Sequence, residues 1–332
     1  MQPPPRPRLA LTLGDPAGIG PEVVAATVAD AGLVEALDPV VLGPPDLRVG
    51  VLERLPRVPR EELGSHVGPA WIDVGEGPLG AFEPGRAQAA CGRAALDALR
   101  AGHELALAGE VDALVTAPVC KEALHLAGEA VEGQTQLLAR WAGAEDCQML
   151  AVADAMRVLI ATRHMALRAA LDALTPELVA ARLRLLDAEL TRLGLVAGVR
   201  PRLALAGLNP HAGEGGLFGD EEQRVLAPAL AAVRAEGLDV TGPEPADTVF
   251  VRAGRGAFDA VLALYHDQGF IPVKVAAPTT GITILLGMPY LRISPAHGTA
   301  FDIAGRGEAD PENLARALRV AADLVGRRAA RG

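Results

Sequence analysis

Aromatic side chains are scarce in this chain, and their scarcity limits how its core is built. The 332 residues include only two Trp, two Tyr and six Phe, although half of the residues are hydrophobic. The core must therefore be packed mainly by Ala, Val and Leu. The length exceeds what one compact core usually requires, which predicts one large domain or two closely joined domains.

Basic residues are also in deficit. Lys and Arg number 31 against 41 Asp and Glu, which gives a formal net charge of −10. Nucleic-acid binding requires clustered Lys and Arg that neutralise phosphates, so this balance excludes a dedicated nucleic-acid binder. The high hydrophobic fraction excludes a disordered chain.

Long hydrophobic runs and paired cysteines are missing as well. No apolar run approaches the roughly 18 residues that a membrane span requires. The Pro- and Arg-rich first eight residues lack the apolar stretch of a signal peptide. Cys91, Cys120 and Cys147 lie far apart and form no C-x-x-C pair, which argues against a disulfide framework and a cysteine zinc site. We therefore expect a cytoplasmic protein with no membrane partner.

Short apolar runs alternate with amphipathic stretches along the chain. The runs are 9–13, 40–42, 113–116, 149–153, 158–161, 203–206, 260–264 and 282–286, and the helix candidates are 21–31, 88–108, 176–193, 220–235 and 311–327. Such alternation predicts an α/β protein with a mostly parallel sheet. The short gap between 149–153 and 158–161 predicts a hairpin, and therefore some antiparallel pairing.

Three of the seven histidines, His164, His211 and His266, each lie just past a predicted strand. Ligands of open α/β sheets bind beyond the carboxyl ends of the strands, so these imidazoles are expected at one edge. A lone histidine in such a loop is more often hydrogen-bonded locally. Three at equivalent positions favour a shared site for a divalent cation that keeps open positions for substrate.

A glycine-rich segment, Gly-Asp-Pro-Ala-Gly-Ile-Gly-Pro-Glu at 14–22, follows the first apolar run. Its spacing is not G-x-G-x-x-G and no Walker lysine follows, so it predicts neither a Rossmann fingerprint nor a P-loop. The segment leaves two interpretations open: a helix N-terminus that favours an anion, or a purely structural tight turn.

Five motifs together resemble one known family. They are the 14–22 segment, Thr-Ala-Pro at 116–118, Leu-Asn-Pro-His-Ala-Gly-Glu-Gly-Gly at 208–216, Tyr-His-Asp-Gln-Gly at 265–269 and His-Gly-Thr-Ala-Phe-Asp-Ile-Ala-Gly-Arg-Gly at 297–307. In this order they resemble the 4-hydroxythreonine-4-phosphate dehydrogenase family of pyridoxal phosphate synthesis. The resemblance implies the α/β two-domain fold of isocitrate and isopropylmalate dehydrogenases, which binds NAD without a Rossmann fingerprint. We expect a cofactor-side domain at 1–130 plus 295–332, and a dimerisation and metal or substrate domain at 131–294.

The resemblance also implies the site residues and the ligands. It places one divalent metal ion (Zn, Mg, Co or Mn) on His164, His211 and His266, in a site shared across a homodimer. It implies NAD or NADP at His297, Gly298, Thr299 and Asp302, and a small anionic substrate at Gln134, Thr135, Lys274, Thr283 and Arg292.

Two of these positions depart from the family pattern. Gln134 stands where the family usually has His, and Thr283 stands where it usually has Asn. Gln offers only a neutral amide, whereas a cationic His offers charge to a phosphate. Lys274 and Arg292 are retained, so an anion is still expected, but either a phosphoryl group or a carboxylate fits.

The implied activity is metal-dependent, NAD-dependent oxidation of a 3-hydroxy acid, with decarboxylation of the 3-oxo product. The best single substrate prediction is 4-(phosphooxy)-L-threonine, in pyridoxine biosynthesis. The alternatives are a four-carbon sugar-acid phosphate or a terephthalate-type dihydrodiol carboxylate. Lys274, Asp267 and Asp247 are the catalytic candidates, and the sequence does not choose the general base among them; Asp247 fits a helix cap equally well.

Two functions of other classes remain open at this point. An acyl or phosphate transferase on the same fold would use the anion site without NAD. A catalytically silent protein would keep the metal and turn nothing over. The three histidines and the intact 297–307 segment favour the dehydrogenase over both.

Overall fold

A computed structural model describes residues 6–144, 146–196 and 198–330. Residues 1–5 of the low-complexity start, and residues 331 and 332 of the predicted first domain, lie outside these ranges. Among the described residues, no helix combines the length and the hydropathy needed to cross a bilayer.

The chain forms two compact units. Unit 1 comprises the residues up to Cys147 and those from Met288 onward, and unit 2 comprises Gln148–Gly287. The segments 131–147 and 288–294, predicted for the second domain, therefore belong to unit 1. The physical reason is that their elements, α5 (Gln134–Trp141) and β11 (Leu291–Pro295), contact other elements of unit 1. The cofactor and dimerisation roles assigned to the domains stay predictions.

Unit 1 is a parallel five-stranded sheet covered by helices. Its strands run in the order β3-β2-β1-β4-β11, and every neighbouring pair is parallel. The remaining elements of unit 1 are β1 (Arg8–Thr12), α1 (Gly20–Val28), α2 (Ala31–Ala36), β2 (Asp38–Gly43), β3 (Ala70–Asp73), α3 (Ala89–Leu107), β4 (Ala113–Thr116), α4 (Lys121–Leu126) and α11 (Glu312–Ala329). Helix α3 packs on β1, β2 and β4, and α11 packs on β11 and β4.

Unit 2 is a mixed sheet with the strand order β10-β5-β6-β9-β7-β8. Strand β5 pairs antiparallel with β6 and β10, and the other pairs are parallel. Its elements are β5 (Gln148–Ala153), β6 (Met156–Ile160), α6 (Leu167–Asp172), α7 (Pro176–Arg192), β7 (Arg202–Ala206), α8 (Ala227–Ala235), β8 (Asp239–Glu244), α9 (Ala246–Gly254), β9 (Ala260–Ala263), α10 (His266–Ala276) and β10 (Ile282–Leu286).

The predicted α/β class is confirmed, with a mostly parallel arrangement and an antiparallel hairpin at β5 and β6. Thr175 caps α7 as its sequence indicates, since its hydroxyl accepts a hydrogen bond from the backbone of Leu178. The stretch 220–235 is not one regular helix: a π turn at Glu222–Leu226 precedes α8.

Helix α10 escaped prediction because it contains Gly269 and Pro272, two residues that disfavour a helix interior. Close packing explains the glycine. A Cβ at Gly269 would lie 2.7 Å from Cγ2 of Ile160, so a larger residue would push α10 off strand β6. Val273 of α10 and Ala277, just after its end, complete an apolar core with β6 and β9.

Candidate functional site

The predicted metal ligands all lie in unit 2, at the carboxyl ends of neighbouring strands. Strands β6, β9 and β7 lie side by side and parallel. His164 follows β6, His266 begins α10 directly after β9, and His211 lies in the segment after β7. Parallel strands present their carboxyl ends at one edge, which accounts for this placement.

The structure brings two of the three imidazoles together. The ring centroids of His164 and His266 are 5.4 Å apart. The His266 ring also stacks on Phe270, at 4.7 Å between centroids. Within 6–144, 146–196 and 198–330, no group of three or more His, Cys, Asp or Glu side chains is gathered closely enough to hold a metal ion. His211 is therefore not collected with the other two in this single chain.

Carboxylates orient two of the histidine rings. Nδ1 of His211 lies 2.6 Å from Oε1 of Glu214, and Nδ1 of His266 lies 2.7 Å from Oδ1 of Asp267. A histidine that binds a metal through one nitrogen usually donates its other N–H to such a group. Nε2 of each ring has no hydrogen-bond partner within the described residues, so the donor chemistry fits a divalent cation.

The catalytic candidates of unit 2 have different surroundings. Asp267 is occupied by the His266 ring, which gives it an orienting role. Lys274 lies exposed two turns further along α10. Asp247 does not cap α9, because Pro245 occupies the cap position. Hydrogen bonding and charge from Glu214 raise the pKa of His211, and the charge of Asp247 adds to this effect.

Thr283 lies on β10 and is buried, with Ala151 of β5 as its register partner. Its hydroxyl thus stands on a rigid strand. The predicted substrate residue is in unit 2 together with Lys274, whereas Gln134, Thr135 and Arg292 are in unit 1.

Arg292 is the most unusual charged residue of unit 1. It is only 1% exposed, and burial lowers the pKa of its guanidinium to about 10. Its Nη2 donates to Oγ1 of Thr116 at 2.5 Å, while Nε and Nη1 have no hydrogen-bond partner. Within the described residues no carboxylate pairs with it. Burial of a cation without a counterion destabilises the folded protein, and a bound anion would offset this desolvation free energy.

Gln134 and Thr135 open helix α5, directly after Gly133. Oε1 of Gln134 is buried without a hydrogen-bond partner, so it can accept a hydrogen bond from a ligand. Lys121 approaches this turn: its Cε lies 3.6 Å from where a Cβ on Gly133 would stand. Lys121 and Lys274 are the only two lysines in the chain.

The predicted cofactor segment packs against the glycine-rich turn. The backbone N–H of Ile19 donates to the carbonyl of Thr299 at 3.0 Å. A Cβ on Gly18 would lie 2.9 Å from Cβ and O of Thr299, so only glycine permits this approach. The carboxylate of Glu22 accepts hydrogen bonds from the backbone of Gly305 and of Gly307. Two motifs far apart in sequence are thus one structural unit.

His297, Gly298 and Asp302 lie at or near the surface of this segment. Nδ1 of His297 donates to the carbonyl of Gly298 at 2.9 Å. Nothing stands within 4 Å of a Cβ position on Gly298, which leaves open space beside the backbone. The segment thus presents backbone and small side chains outward; cofactor binding there stays a prediction.

Three residues of these sites were not predicted from the sequence. Thr116 holds Arg292, Glu214 orients His211, and Glu222 anchors the backbone before His211. Glu214 follows His211 by three residues within one motif, and Thr116 opens the Thr-Ala-Pro motif, but neither motif indicates the partner of its residue. All three contacts depend on chain paths that only the fold reveals.

Comparisons with known proteins show which proteins this chain resembles. The family profile "Pyridoxal phosphate biosynthetic protein PdxA" matches residues 52–321. A curated protein named D-threonate 4-phosphate dehydrogenase, from Salmonella typhimurium, is 42% identical over 96% of this chain and 98% of that protein. The crystal structure of a 4-hydroxythreonine-4-phosphate dehydrogenase from Klebsiella pneumoniae is 41% identical, with a TM-score of 0.83 over 96% of this chain and 99% of that one.

A more distant likeness concerns the fold alone. The structure of a β-decarboxylating dehydrogenase from Thermococcus kodakarensis has a TM-score of 0.50 at 15% identity, over 96% of this chain and 84% of that one. Together with the strand order, this confirms the predicted isocitrate and isopropylmalate dehydrogenase-like fold.

Proposed function

The chain belongs to the PdxA family of pyridoxal phosphate biosynthetic proteins, and on this premise we propose that it oxidises a phosphorylated four-carbon 3-hydroxy acid. In this reaction the C3 alcohol loses a hydride to NAD or NADP and a proton to the protein or solvent. The 3-oxo acid that forms then releases carbon dioxide.

The observation that carries the proposal is the state of Arg292. The guanidinium is buried, and two of its nitrogens lack partners in the described part of the chain. An anionic group of the substrate would accept from those nitrogens and neutralise the charge, which is the usual use of a buried arginine in a binding site. Thr116 fixes the orientation of the fork.

His164, His211 and His266 would hold the divalent cation in a site shared across the proposed homodimer, since in a single chain only His164 and His266 lie close together. Such an ion, when bound, lowers the pKa of the substrate hydroxyl and favours loss of its proton. Glu214 and Asp267 accept from the Nδ1 atoms of His211 and His266, and this leaves Nε2 of each ring for the cation. We propose Lys274 as the group that binds the anionic end of the substrate or moves the proton, because Asp267 is already engaged.

A homodimer is part of the proposal. Along α10, Ile271 is 60% exposed and Val275 is 78% exposed, four residues apart on one helix face. Leu217 and Phe218 expose further apolar surface near His211 in the sequence. Burial of these side chains against a second copy would remove apolar area from water. Ile271→Asp is expected to shift the mass measured by light scattering from dimer to monomer, whereas a monomeric wild type would contradict the proposal.

Two substrates deserve direct comparison because they differ only at C2. 4-(Phosphooxy)-L-threonine carries an amino group there, and D-threonate 4-phosphate, the substrate named for the Salmonella relative, carries a hydroxyl. The first is our principal candidate. The buried Oε1 of Gln134 is a neutral acceptor that fits a hydroxyl donor as well as an ammonium donor, so the second stays a candidate beside the first.

The test is a substrate panel read by NADH or NADPH absorbance. It contains both phosphorylated acids, the erythronate 4-phosphate isomer, and each acid without its phosphate as the matched control. We expect turnover of phosphorylated acids only, and only with a divalent cation present. Equal rates with the unphosphorylated acids would contradict the anion role of Arg292, and full activity in a strong chelator would contradict the metal role.

A further inference from the structure

The segment that carries His211 follows a strained backbone path. Within Pro210–Gly216, five consecutive residues have positive φ: His211 at 52°, Ala212 at 55°, Gly213 at 79°, Glu214 at 42° and Gly215 at 70°. Three of the five are not glycine, and residues with a Cβ rarely adopt this left-handed conformation. Such a path persists only where surrounding groups determine it.

Glu222 binds the two residues that lead into this segment. Its side chain enters from the π turn before α8, and the residue is only 5% exposed. Oε1 accepts from the backbone N–H of Leu208 at 2.8 Å and of Asn209 at 2.7 Å. Oε2 accepts from Nδ2 of Asn209 at 2.9 Å. One buried carboxylate thus holds three donors of the two residues that precede Pro210.

The same carboxylate also lies against the segment Pro210–Gly216. A Cβ on Gly213 would stand 2.8 Å from Oε2 of Glu222, so the backbone of Gly213 lies directly against it. On the other side, a Cβ on Gly207 would meet Cα and Cβ of Ala212 at 3.0 Å. The segment is therefore confined between Glu222 and the end of strand β7.

We propose that Glu222 is a positioning residue that fixes the left-handed segment Pro210–Gly216 and, through it, the direction of the His211 imidazole. This inference rests on the proposed metal role of His211. Glu222 itself does not bind the cation in this assignment; it keeps the backbone of His211 in the one conformation that also lets Glu214 reach Nδ1.

The informative variant is Glu222→Gln. An amide has one acceptor oxygen and one donor NH2, so in either orientation the NH2 faces a donor, either a backbone N–H or Nδ2 of Asn209. The matched control is Glu221→Gln. Glu221 is the adjacent residue and accepts from Nδ2 of Asn209 at 2.7 Å, whereas the backbone N–H groups of Leu208 and Asn209 donate to Glu222, so E221Q leaves both backbone contacts in place.

The first measurement is made without metal. Amide hydrogen exchange of Leu208 and Asn209 is expected to become roughly tenfold faster in E222Q and to stay near the wild-type rate in E221Q. The second measurement is Mn²⁺ binding by calorimetry, where we expect E222Q to raise Kd by about 10- to 100-fold and E221Q to change it little.

The outcomes separate the inference from the proposed function. If the wild type binds Mn²⁺ and E222Q binds it equally well, Glu222 only stabilises the fold and the inference is overturned. If the wild type binds no divalent cation, the metal function fails and the inference fails with it. If E222Q does not fold, Glu222→Asp, which keeps the carboxylate on a side chain one methylene shorter, takes its place; an unchanged Mn²⁺ affinity in that variant overturns the inference.

Discussion

Arg292→Met tests whether the buried guanidinium serves binding rather than folding. Methionine has a similar length and no charge, so it fills the site without requiring a counterion. In the ordinary case, removal of one member of a buried ion pair destabilises a protein strongly. Arg292 differs because the structure describes no carboxylate partner for it.

The magnitude follows from the pKa. Burial lowers the pKa of Arg292 to about 10, which corresponds to roughly 3 kcal/mol against the charged form. The hydrogen bond to Thr116 returns about 2 kcal/mol, since its donor is charged. We therefore expect R292M to be as stable as the wild type, or about 1 kcal/mol more stable, in substrate-free urea denaturation.

Catalytic activity should fall in R292M, although its stability should not. Loss of a buried cation from a bound anion costs about 3 kcal/mol or more, so kcat/KM for the phosphorylated acid should fall by roughly 100-fold. The decrease should be much smaller for any acid that lacks the phosphate, if that group is the one that Arg292 binds.

Arg202→Met is the matched control, because Arg202 has the carboxylate that Arg292 lacks. Its guanidinium bonds to Asp259, whose side chain is only 5% exposed. R202M should lose roughly 2 kcal/mol of unfolding free energy and keep its kcat/KM. The reasoning is refuted if R292M is destabilised as much as R202M, or if R292M retains wild-type kcat/KM.

Three further predictions concern other parts of the chain. His211→Ala should abolish metal-dependent NAD reduction while the circular dichroism spectrum stays that of the folded protein; retained activity would exclude His211 as a ligand. Burial opposes ionisation of Asp259, but hydrogen bonds from its arginine partner lower its pKa overall, so the charged carboxylate stabilises the fold above about pH 4 and this contribution is lost as pH falls through the lowered pKa. Asp259→Asn should therefore have a smaller unfolding free energy than the wild type in urea at pH 7, and this difference should shrink as the pH is lowered. Unfolding free energies of the two proteins that decrease in parallel with pH would contradict this. Gly18→Ala places a Cβ against Thr299, so KM for the nicotinamide cofactor should rise roughly tenfold through the displaced segment, whereas Gly326→Ala on α11 meets open space and serves as the control.

Hydrophobic continuity determined which strands could be predicted. Strands buried on both faces, such as β1, β4 and β9, are uninterrupted apolar runs in the sequence. Strand β11 escaped because Arg292 and Ser294 alternate with its apolar residues, and Arg292 is a proposed binding residue. Strand β8 escaped because it contains Gly242 and Pro243, which disfavour strands. In both strands, residues with a proposed binding role or an irregular backbone thus interrupt the hydrophobic pattern from which a strand is predicted.

The site was predictable where it depends on strand ends and not where it depends on side-chain support. The positions of His164 and His266 follow from the order β6-β9, which parallel strands bring to one edge. The contacts of Glu222 with the backbone could not be predicted, because they depend on a left-handed backbone at 211–215, and glycine is the only residue type whose presence indicates such a backbone. Motif resemblance supplied positions, and the fold supplied the contacts that orient them.

The scarcity of lysine gives this protein an unusual chemical profile. Reagents that acylate side-chain amines can reach only Lys274, at a proposed substrate position, and Lys121, beside the turn that presents Gln134. Random coupling to an amine-reactive resin would therefore attach the protein either through its α-amino group or through one of two lysines that belong to its proposed chemistry. Immobilisation should instead use an appended tag, while a fluorophore directed to the lysines becomes a reporter of whether a phosphorylated acid is bound.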